Sequence, residues 1–329
     1  MKKVKVGIIS FEHMHAYSYA ACLQRLLGAE LVGIADEDPR RGLDAAYRFK
    51  TPYYRDYQEL LKQELDAVVV CSANARHRQH TEAAAQAGKH VMVEKPIATS
   101  LEDGRAMIAA CRAAGVNLQI AFPSRFGAPT LRTKQLLERG ELGKIRAMTG
   151  TNHGRNPGGW FVDPLLSGGG AVFDHTVHIL DLMRWYTGEE PVEVFCEMDK
   201  LPAGPVIDEI GLVMVKFSCG SFGTIDTSWC HPENYPTWGD AYLRMVGDKG
   251  LLTLDLESQA SRLYSKAGAS LEYWGDDYDY GLVAEFVASV REGRKPAVTG
   301  EDGLAATAVA LAAYEAARTG RPVRLDQPC

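Results

Sequence analysis

The residues best suited to chemistry lie in two segments that are far apart in the sequence. Lys95 follows residues 90–93, an apolar run that predicts a buried strand. Much later, a glycine run at 168–170 precedes Asp174 and, four residues on, His178. If this stretch is helical, Asp174 and His178 share a face. A histidine can take the proton of a hydroxyl near neutral pH, and a lysine can stabilise the developing alkoxide. We therefore predict that Lys95, Asp174 and His178 are catalytic residues. The predicted reaction is the oxidation of a secondary alcohol by a nicotinamide cofactor.

Each of these residues also has an ordinary structural interpretation. A lysine after a strand usually lies on the surface, and an Asp/His pair on a helix is commonly a cap and a packed core histidine. Two neighbours favour a functional Lys95, since Pro96 restricts the adjacent backbone and Glu94 supplies a counter-charge. The carboxyl edge of a parallel sheet is also where such folds bind ligands.

Length, composition and charge narrow the class of protein. The chain has 329 residues, which suits two domains, and 46% of them are hydrophobic. A net charge of −6 disfavours nucleic acid and anionic membranes as partners. We expect neither a secretory signal nor a membrane span, and the seven scattered cysteines without a Cys-x-x-Cys pair are typical of reduced thiols. These features predict a cytoplasmic protein.

The first part of the chain alternates apolar runs with helical spacing. Strands are predicted at 4–9, 31–35, 66–71, 91–93 and 118–122, and helices at 16–27, 77–87 and 101–114. Apolar strands separated by amphipathic helices indicate a parallel sheet in a doubly wound arrangement. We predict an α/β Rossmann domain over residues 1–122.

The pattern changes at residue 123. One helix is predicted at 130–139, followed by strands at 192–198, 210–217, 221–228, 242–246 and 251–254, and by helices at 280–292 and 303–318. Consecutive strands, two of them joined by a hairpin turn at 217–222, favour antiparallel pairing. We predict an α+β domain over residues 123–329 with a large, mostly antiparallel open sheet, used for substrate binding and oligomerisation.

The loop after the first strand occupies the place of a dinucleotide-binding turn but lacks its glycines. A G-x-G-x-x-G fingerprint would put them at positions 10, 12 and 15, where this chain has Ser10, Glu12 and His15. The backbone N–H groups of His13 and Met14 are still expected to face the pyrophosphate. The Glu12 carboxylate would repel it, so we expect Glu12→Gly to tighten NAD binding.

Asp36 ends the second predicted strand and is the expected ribose ligand. An acidic side chain there accepts hydrogen bonds from the ribose hydroxyls and repels a 2′-phosphate, which favours NAD over NADP. Glu37 and Asp38 reinforce this preference, whereas Arg40 and Arg41 oppose it. The alternative is that Asp36 is a helix cap or turn residue.

Several segments resemble the Gfo/Idh/MocA oxidoreductase family, named for glucose-fructose oxidoreductase and inositol 2-dehydrogenase. The matching stretches are 72–77, 88–96 with its Glu-Lys-Pro sequence, 122–126, 168–181, 293–296 and 299–303. The turn at 72–77 lacks the family's proline, and Thr176 stands where a glycine is usual. The glycine loop is the clear departure from the family pattern.

The resemblance implies an NAD-dependent enzyme that transfers hydride between nicotinamide and a secondary alcohol of a sugar, cyclitol or derivative. It implies that Lys95 contacts the nicotinamide ribose and the reacting oxygen, that His178 is the acid/base, and that Asp174 assists. It also implies a homodimer or homotetramer formed through the C-terminal sheet. The residues predicted to bind cofactor are Ser10, Phe11, His13, Met14, Asp36, Ser72, Asn74, His77, Glu94 and Lys95. Those predicted to bind substrate are Arg125, His153, Trp160, Asp174 and His178.

Two other functions stay open from the sequence. One is an NAD-dependent glycosidase or hydro-lyase, which cycles the hydride internally and forms no net NADH. The other is a non-catalytic ligand sensor of the same fold, which the missing glycines favour and the joint presence of Lys95, Asp174 and His178 opposes.

Five residues could also be interpreted as metal ligands. Glu12, His13, His15, His175 and His178 carry ligand-type atoms. Their spacings match no metal-binding motif, so we predict that no metal is bound.

Overall fold

The structure is a computed structural model that describes residues 3–325 apart from 203, 205, 236–238, 257–259, 266, 267 and 274. For residues 260–265 and 268–273 it describes the backbone alone.

The elements of the first part of the chain are, in order, β1 Val4–Ile9, α1 His15–Arg25, β2 Ala29–Ala35, α2 Pro39–Phe49, β3 Tyr53–Tyr54, α3 Tyr57–Leu61, β4 Ala67–Val70, α4 His77–Gln86, β5 His90–Val93, α5 Leu101–Ala114 and β6 Leu118–Ile120. The remaining elements are α6 Ala128–Glu138, β7 Ile145–Gly154, α7 Pro164–Ser167, α8 Ala171–Thr187, β8 Pro191–Asp199, β9 Ile210–Phe217, β10 Phe222–Ser228, β11 Gly239–Gly247, β12 Gly250–Asp255, β13 Ala260–Ser265, β14 Gly268–Tyr273, α9 Tyr278–Glu292, α10 Gly300–Thr319 and β15 Val323–Arg324.

The chain forms two compact units. The first contains residues 1–123, 165–168 and 278–305, and the second contains residues 124–164, 169–277 and 306–329. Helix α9 and the start of α10 belong to the first unit. Here Gly300 and Gly303 let α10 approach residues of α5 and β6 closely, since a Cβ at Gly303 would lie 2.6 Å from Ile120.

The first unit contains a six-stranded sheet in the order β3-β2-β1-β4-β5-β6, and every neighbouring pair is parallel. Strand β4 is a run of alanine and valines that are all buried, as expected for a central strand covered on both faces. The predicted Rossmann fold is confirmed. Residues 39–61, which were assigned no element from the sequence, form α2, β3 and α3.

The second unit contains a seven-stranded sheet in the order β12-β11-β7-β10-β9-β8-β15. Only β7 and β10 pair in parallel, so the predicted mostly antiparallel sheet is confirmed. Helix α8 packs on one face, where glycines make room for it: a Cβ at Gly150 would lie 2.3 Å from Ile179, and one at Gly211 would lie 2.2 Å from Val172. Alternation along the strands sends the neighbouring residues to the opposite face, here called the outer face.

Candidate active site

The loop between β1 and α1 uses most of its backbone N–H groups internally. The bonds are Ser10 N–H to the Ala35 carbonyl (2.7 Å), Phe11 N–H to the Asp36 carboxylate (2.7 Å), Glu12 N–H to Ser10 Oγ (3.2 Å), His13 N–H to the Cys71 carbonyl (2.9 Å) and His15 N–H to His13 Nδ1 (3.3 Å). The expectation that the His13 N–H faces the pyrophosphate is therefore wrong, because that group is bonded to the end of β4. The role of Met14 stays a prediction.

Ser10 adopts a backbone conformation that explains its alignment with a glycine. Its φ is +70°, in the left-handed region. For an L-residue this region costs about 1–2 kcal/mol relative to the right-handed one, and glycine escapes most of that cost. The turn therefore keeps the shape of a glycine turn with a serine in it.

The Asp36 carboxylate is fully engaged within the first unit. Its Oδ2 accepts the N–H of Phe11 and Nε of Arg41 at 2.7 and 2.8 Å, and its Oδ1 accepts the N–H of Asp38 and Nη2 of Arg41 at 2.9 and 2.8 Å. A carboxylate has roughly four acceptor positions. Asp36 can therefore take ribose hydroxyls only when Arg41 moves away. The sequence suggested a counteracting charge at Arg41 but not this bidentate pair.

A cavity of about 830 Å³ opens at the carboxyl ends of β1 and β2. Ser10 and Asp36 line it together with Arg55, Arg76 and His80. Two guanidinium groups and the Asp36 carboxylate place polar groups beside apolar walls, a combination typical of cofactor sites. The residues present fit the adenosine half of a dinucleotide, the cofactor predicted from the sequence.

Glu94 ends β5 as a buried carboxylate shared by two imidazoles. His15 Nδ1 lies 3.1 Å from Glu94 Oε1, and His13 Nε2 lies 3.7 Å from Oε2. Burial opposes the ionisation of Glu94, but the nearby His13 and His15 and the bond from His15 lower its pKa below the ordinary value. Burial likewise disfavours the charged form of His15, yet the charge of Glu94 outweighs this and raises the pKa of His15. The pair is therefore an imidazole oriented by an ionised carboxylate.

Lys95 follows Glu94 and is only 4% exposed. Its backbone N–H donates to Glu94 Oε2 at 3.2 Å. A lysine is rarely this buried unless its charge is compensated, and the adjacent carboxylate provides that compensation. The surface interpretation of Lys95 is thereby excluded.

Three further predicted cofactor ligands hold the first unit together. Ser72 Oγ lies 3.0 Å from Nδ1 of His80, and Asn74 Nδ2 donates to the Ser167 carbonyl at 2.8 Å. His77 Nδ1 lies 3.0 Å from the Pro96 carbonyl oxygen, and His77 Nε2 lies 3.1 Å from the Ser72 carbonyl oxygen. His77 thus connects the loop after β4 to the segment after Lys95. Their contact with a cofactor stays a prediction.

Glu12 is also bonded within the first unit. Its Oε2 accepts the N–H of Ala73 at 2.9 Å, and its Oε1 lies 3.8 Å from Nη1 of Arg76. The carboxylate thus ties the loop after β1 to the loop after β4. Repulsion of a pyrophosphate by Glu12 stays a prediction, because part of its charge is already compensated by these contacts.

In the second unit, Asp174 and His178 both lie on α8, as predicted. The ion pair that the structure assigns to Asp174 is with His175, whose Nε2 lies 3.3 Å from Asp174 Oδ2. His175 Nδ1 lies 2.9 Å from the Asn152 carbonyl. Both ring nitrogens of His175 therefore face acceptors. From the sequence, His175 was a candidate only as a metal ligand. No sequence pattern indicated that it pairs with Asp174.

The N-terminus of α8 is held by a residue from outside the helix. Asp208 accepts the N–H groups of Gly170 and Val172 at 3.0 and 2.8 Å, and the hydroxyl of Tyr314 donates to the same carboxylate. A Cβ at Gly170 would lie 2.0 Å from the Asp208 carbonyl oxygen. Asp208 therefore caps the helix that carries Asp174, and Gly170 allows the close approach. Sequence reasoning missed Asp208 because it lies far from α8 along the chain.

Arg125 forms a buried bidentate pair with Asp181 of α8. Its Nε and Nη2 donate to Oδ2 and Oδ1 at 2.6 and 2.5 Å, and the two side chains are 6% and 1% exposed. The planar guanidinium matches the carboxylate in this arrangement. Arg125 thus anchors the segment after residue 123 to α8, and substrate binding by Arg125 stays a prediction.

The other two predicted substrate ligands lie elsewhere in the second unit. His153 projects from the outer face of the sheet, with Nδ1 at 2.9 Å from Asp240 and Nε2 at 3.2 Å from Asp226. The hydrogen bond with Asp240 raises the pKa of His153, although burial opposes this. Trp160 stacks on Phe161 with ring centres 3.9 Å apart. Because α8 packs on the opposite face, His153 does not share a face with His178.

Within the part of the chain that the structure describes, two groups have ligand-type atoms within 4.8 Å of one another: His13, His15 and Glu94, and His153, His231 and Asp240. In the first group, His13 Nδ1 accepts an N–H, which leaves the proton of a neutral ring on Nε2, the atom that faces Glu94. In the second, both nitrogens of His153 contact carboxylates. In both groups the imidazoles thus contact carboxylates of the chain itself, and the absence of a metal stays a prediction.

Profile comparisons assign both parts of the chain to one family. The profile described as "Oxidoreductase family, NAD-binding Rossmann fold" matches residues 4–122, and the profile of the GFO/IDH/MocA C-terminal domain matches residues 130–253. The chain belongs to the GFO/IDH/MocA oxidoreductase family, as its sequence motifs indicated. The first unit is the family's NAD-binding domain.

Individual relatives cover nearly the whole chain. It is 30% identical to myo-inositol 2-dehydrogenase of Thermotoga maritima over 98% of this chain and 99% of that protein. It is also 30% identical to 1,5-anhydro-D-fructose reductase of Ensifer adhaerens, over 92% and 93% of the two chains. Among solved structures, GenD2 from gentamicin A biosynthesis in complex with NAD superimposes with a TM-score of 0.91 at 25% identity, over 99% and 97% of the two chains.

No helix in the described ranges is both long and apolar enough to cross a bilayer. The six cysteines among the described residues are all free thiols, and Cys219 and Cys230 are exposed.

Proposed function

We propose that the protein is an NAD-dependent dehydrogenase that oxidises a secondary alcohol of a sugar, cyclitol or derivative. The names of its relatives, an inositol dehydrogenase and an anhydro-sugar reductase, support this substrate class. When bound, NAD supplies the hydride acceptor. The protein's own residues must bind the substrate, stabilise the alkoxide and remove the hydroxyl proton.

The buried Lys95 is the observation that carries the proposal. A lysine that is 4% exposed at the carboxyl end of a central parallel strand lies where α/β folds bind their ligands. A fixed positive charge in a dry site lowers the energy of a developing alkoxide far more than it would in water. We assign Lys95 to stabilisation of the substrate oxygen.

His178 is assigned to proton transfer. It lies on α8 one turn after Asp174 and is 9% exposed. Histidine titrates near neutral pH, so its ring can accept the hydroxyl proton during oxidation and return it during reduction. Asp174 assists as an anion next to this helix face, and its pairing with His175 holds it in place.

The test measures NADH formation with a panel of inositols, aldoses and anhydro-sugars. Lys95→Ala is expected to abolish turnover while the unfolding temperature stays close to that of the wild type. Lys89→Ala is the matched control, because Lys89 lies before the amino end of the same strand, where it donates to the Leu65 carbonyl. It should leave turnover unchanged.

His178→Gln is expected to lower the rate by about 10²–10⁴-fold, the usual contribution of a general acid or base. Turnover that is unaffected by Lys95→Ala and His178→Gln would refute the assignment. Conversion of a glycoside or elimination of water without net NADH would instead support internal hydride cycling. NAD or sugar binding without any turnover of the panel would support a sensor.

We also propose that the outer face of the second sheet joins copies of this chain into a homodimer or homotetramer. Its exposed apolar side chains are Ile210, Leu212 and Met214 of β9 and Phe222 of the neighbouring β10. A patch of this kind on a soluble protein is typical of an interaction surface. Sedimentation should show the oligomer for the wild type and a monomer for Leu212→Glu/Met214→Glu. An oligomer that survives both changes would place the interface elsewhere.

A further inference from the structure

The pyrophosphate of a bound dinucleotide needs hydrogen-bond donors, and the loop between β1 and α1 uses most of its backbone N–H groups internally. In a glycine fingerprint these donors are free N–H groups at the helix N-terminus. Here the N–H groups of Ser10, Phe11, Glu12, His13 and His15 are all bonded to other groups of the first unit. A positively charged side chain would add to what the remaining backbone N–H groups of the loop can donate.

His15 is the side chain best placed to provide this positive charge. It is the first residue of α1, at the position of the third fingerprint glycine, and its side chain is 33% exposed. Its Nδ1 contacts the completely buried Glu94, a carboxylate that can only accept. The proton of Nδ1 is therefore held by Glu94, which leaves Nε2 as the ring nitrogen available for a ligand.

We propose that His15, as an imidazolium oriented by Glu94, binds the pyrophosphate of NAD in place of the missing glycine N–H groups. This inference rests on the proposed function, since it requires that the protein bind NAD. The helix N-terminus adds a partial positive charge at the same place. His15 would then be a cofactor-binding residue that compensates for the glycines this chain lacks.

The charges around His15 determine how binding depends on pH. Glu94 and Asp279 favour the protonated ring, whereas burial and Lys95 oppose it, and the net effect raises the pKa of His15. His13 and the Tyr19 hydroxyl complete the surroundings of the ring, the hydroxyl at 3.4 Å from Nδ1. An anion binds the protonated ring, so NAD affinity should be highest below this raised pKa. It should fall as the pH rises through it.

The experiment is calorimetry with NAD, ADP-ribose and adenosine between pH 6 and pH 9, on the full chain. His15→Gln should lose about tenfold or more in affinity for NAD and ADP-ribose at pH 6, as expected for a hydrogen bond to a charged group. Its adenosine affinity should not change, because adenosine has no phosphate. His15→Lys keeps a positive charge across this range, so it should retain most of the affinity and lose the pH dependence.

The matched control is His90→Gln. His90 opens the strand that Glu94 follows, and its Nδ1 accepts the N–H of Asn117, which a glutamine oxygen can also do. It should keep the wild-type affinity and pH profile. Thermal unfolding of each variant checks that the fold is intact.

The outcomes separate this inference from the proposed function. A wild-type chain that binds neither NAD nor ADP-ribose would overturn the proposed function. Wild-type binding that His15→Gln leaves unchanged would overturn the role of His15 alone. A loss confined to NAD, with ADP-ribose unaffected, would also overturn it, because the ring would then contact the nicotinamide.

Discussion

The buried pair between Arg125 and Asp181 makes the sharpest prediction about the second unit. Replacing Asp181 by asparagine removes the charge that compensates Arg125 and points amide protons at its donors. Both side chains are at most 6% exposed, so solvent cannot replace the lost partner. Breaking a buried pair in this way costs about 3–5 kcal/mol. In a domain of this size that lowers the unfolding temperature by roughly 10 °C.

The exposed pair between Arg146 and Asp248 is the matched control in the same unit. It is also bidentate, with bonds of 2.7 and 3.0 Å, but its side chains are 57% and 45% exposed. Asp248→Asn should therefore leave the unfolding temperature close to that of the wild type. Both pairs join an arginine to an aspartate by two hydrogen bonds. A larger loss of stability for Asp181→Asn than for Asp248→Asn would therefore be caused by burial.

The assay is a double-mutant cycle followed by thermal and urea unfolding. Arg125→Met and Asp181→Leu should each destabilise strongly, whereas the double variant should recover most of the loss, because two apolar side chains need no partner. A loss below about 1 kcal/mol for Asp181→Asn would refute the reasoning, since it would fit an exposed pair. An Arg125→Met variant with normal stability and a raised KM would show that Arg125 serves the substrate.

Three further predictions concern stability. Burial, with smaller effects of His77 and Arg76, lowers the pKa of His80 to about 4. As the pH falls, His80 is therefore protonated in the unfolded chain before it is protonated in the folded one. Stability should therefore fall by about 3 kcal/mol as the pH drops from about 6.5 to about 4, and His80→Gln should flatten this dependence in urea unfolding. Lys50 is the C-cap of α2 and has a φ of +51°, so Lys50→Gly should stabilise the protein by about 1 kcal/mol. Gly115 has a φ of +68°, so Gly115→Ala should destabilise the protein by a similar amount, and thermal melts measure both changes. Gly170→Ala should cost about 1–3 kcal/mol, because its Cβ would meet the Asp208 carbonyl, and an unchanged unfolding temperature would contradict this.

The element pattern of both units could be predicted because it depends on local periodicity. Runs such as residues 67–70 are apolar at every position, which signals a strand covered on both faces wherever it lies. Residues 39–61 escaped prediction because β3 and α3 are very short and α2 exposes many polar side chains. The parallel strand β7 was missed because glycines and polar residues interrupt its pattern.

The partners of the candidate site residues could not be predicted in the same way. Arg41 and Asp36 are close in sequence, yet their bidentate geometry depends on how α2 follows β2. Asp208 caps α8 from 36 to 38 residues away along the chain. Nothing in local spacing marks such a contact, because side chains from separate elements meet only after the chain has folded.

The sequence by itself determined the fold class, the family and the segments that carry Lys95, Asp174 and His178, because hydrophobic periodicity and short motifs are properties of the chain alone. The tertiary structure decided what those segments contact. It turned the His13 N–H towards Cys71, joined His15 to Glu94 and buried Lys95 beside that carboxylate. Hydrogen bonding and burial depend on which groups lie within a few ångströms in space, and that information exists only once strands and helices are packed together.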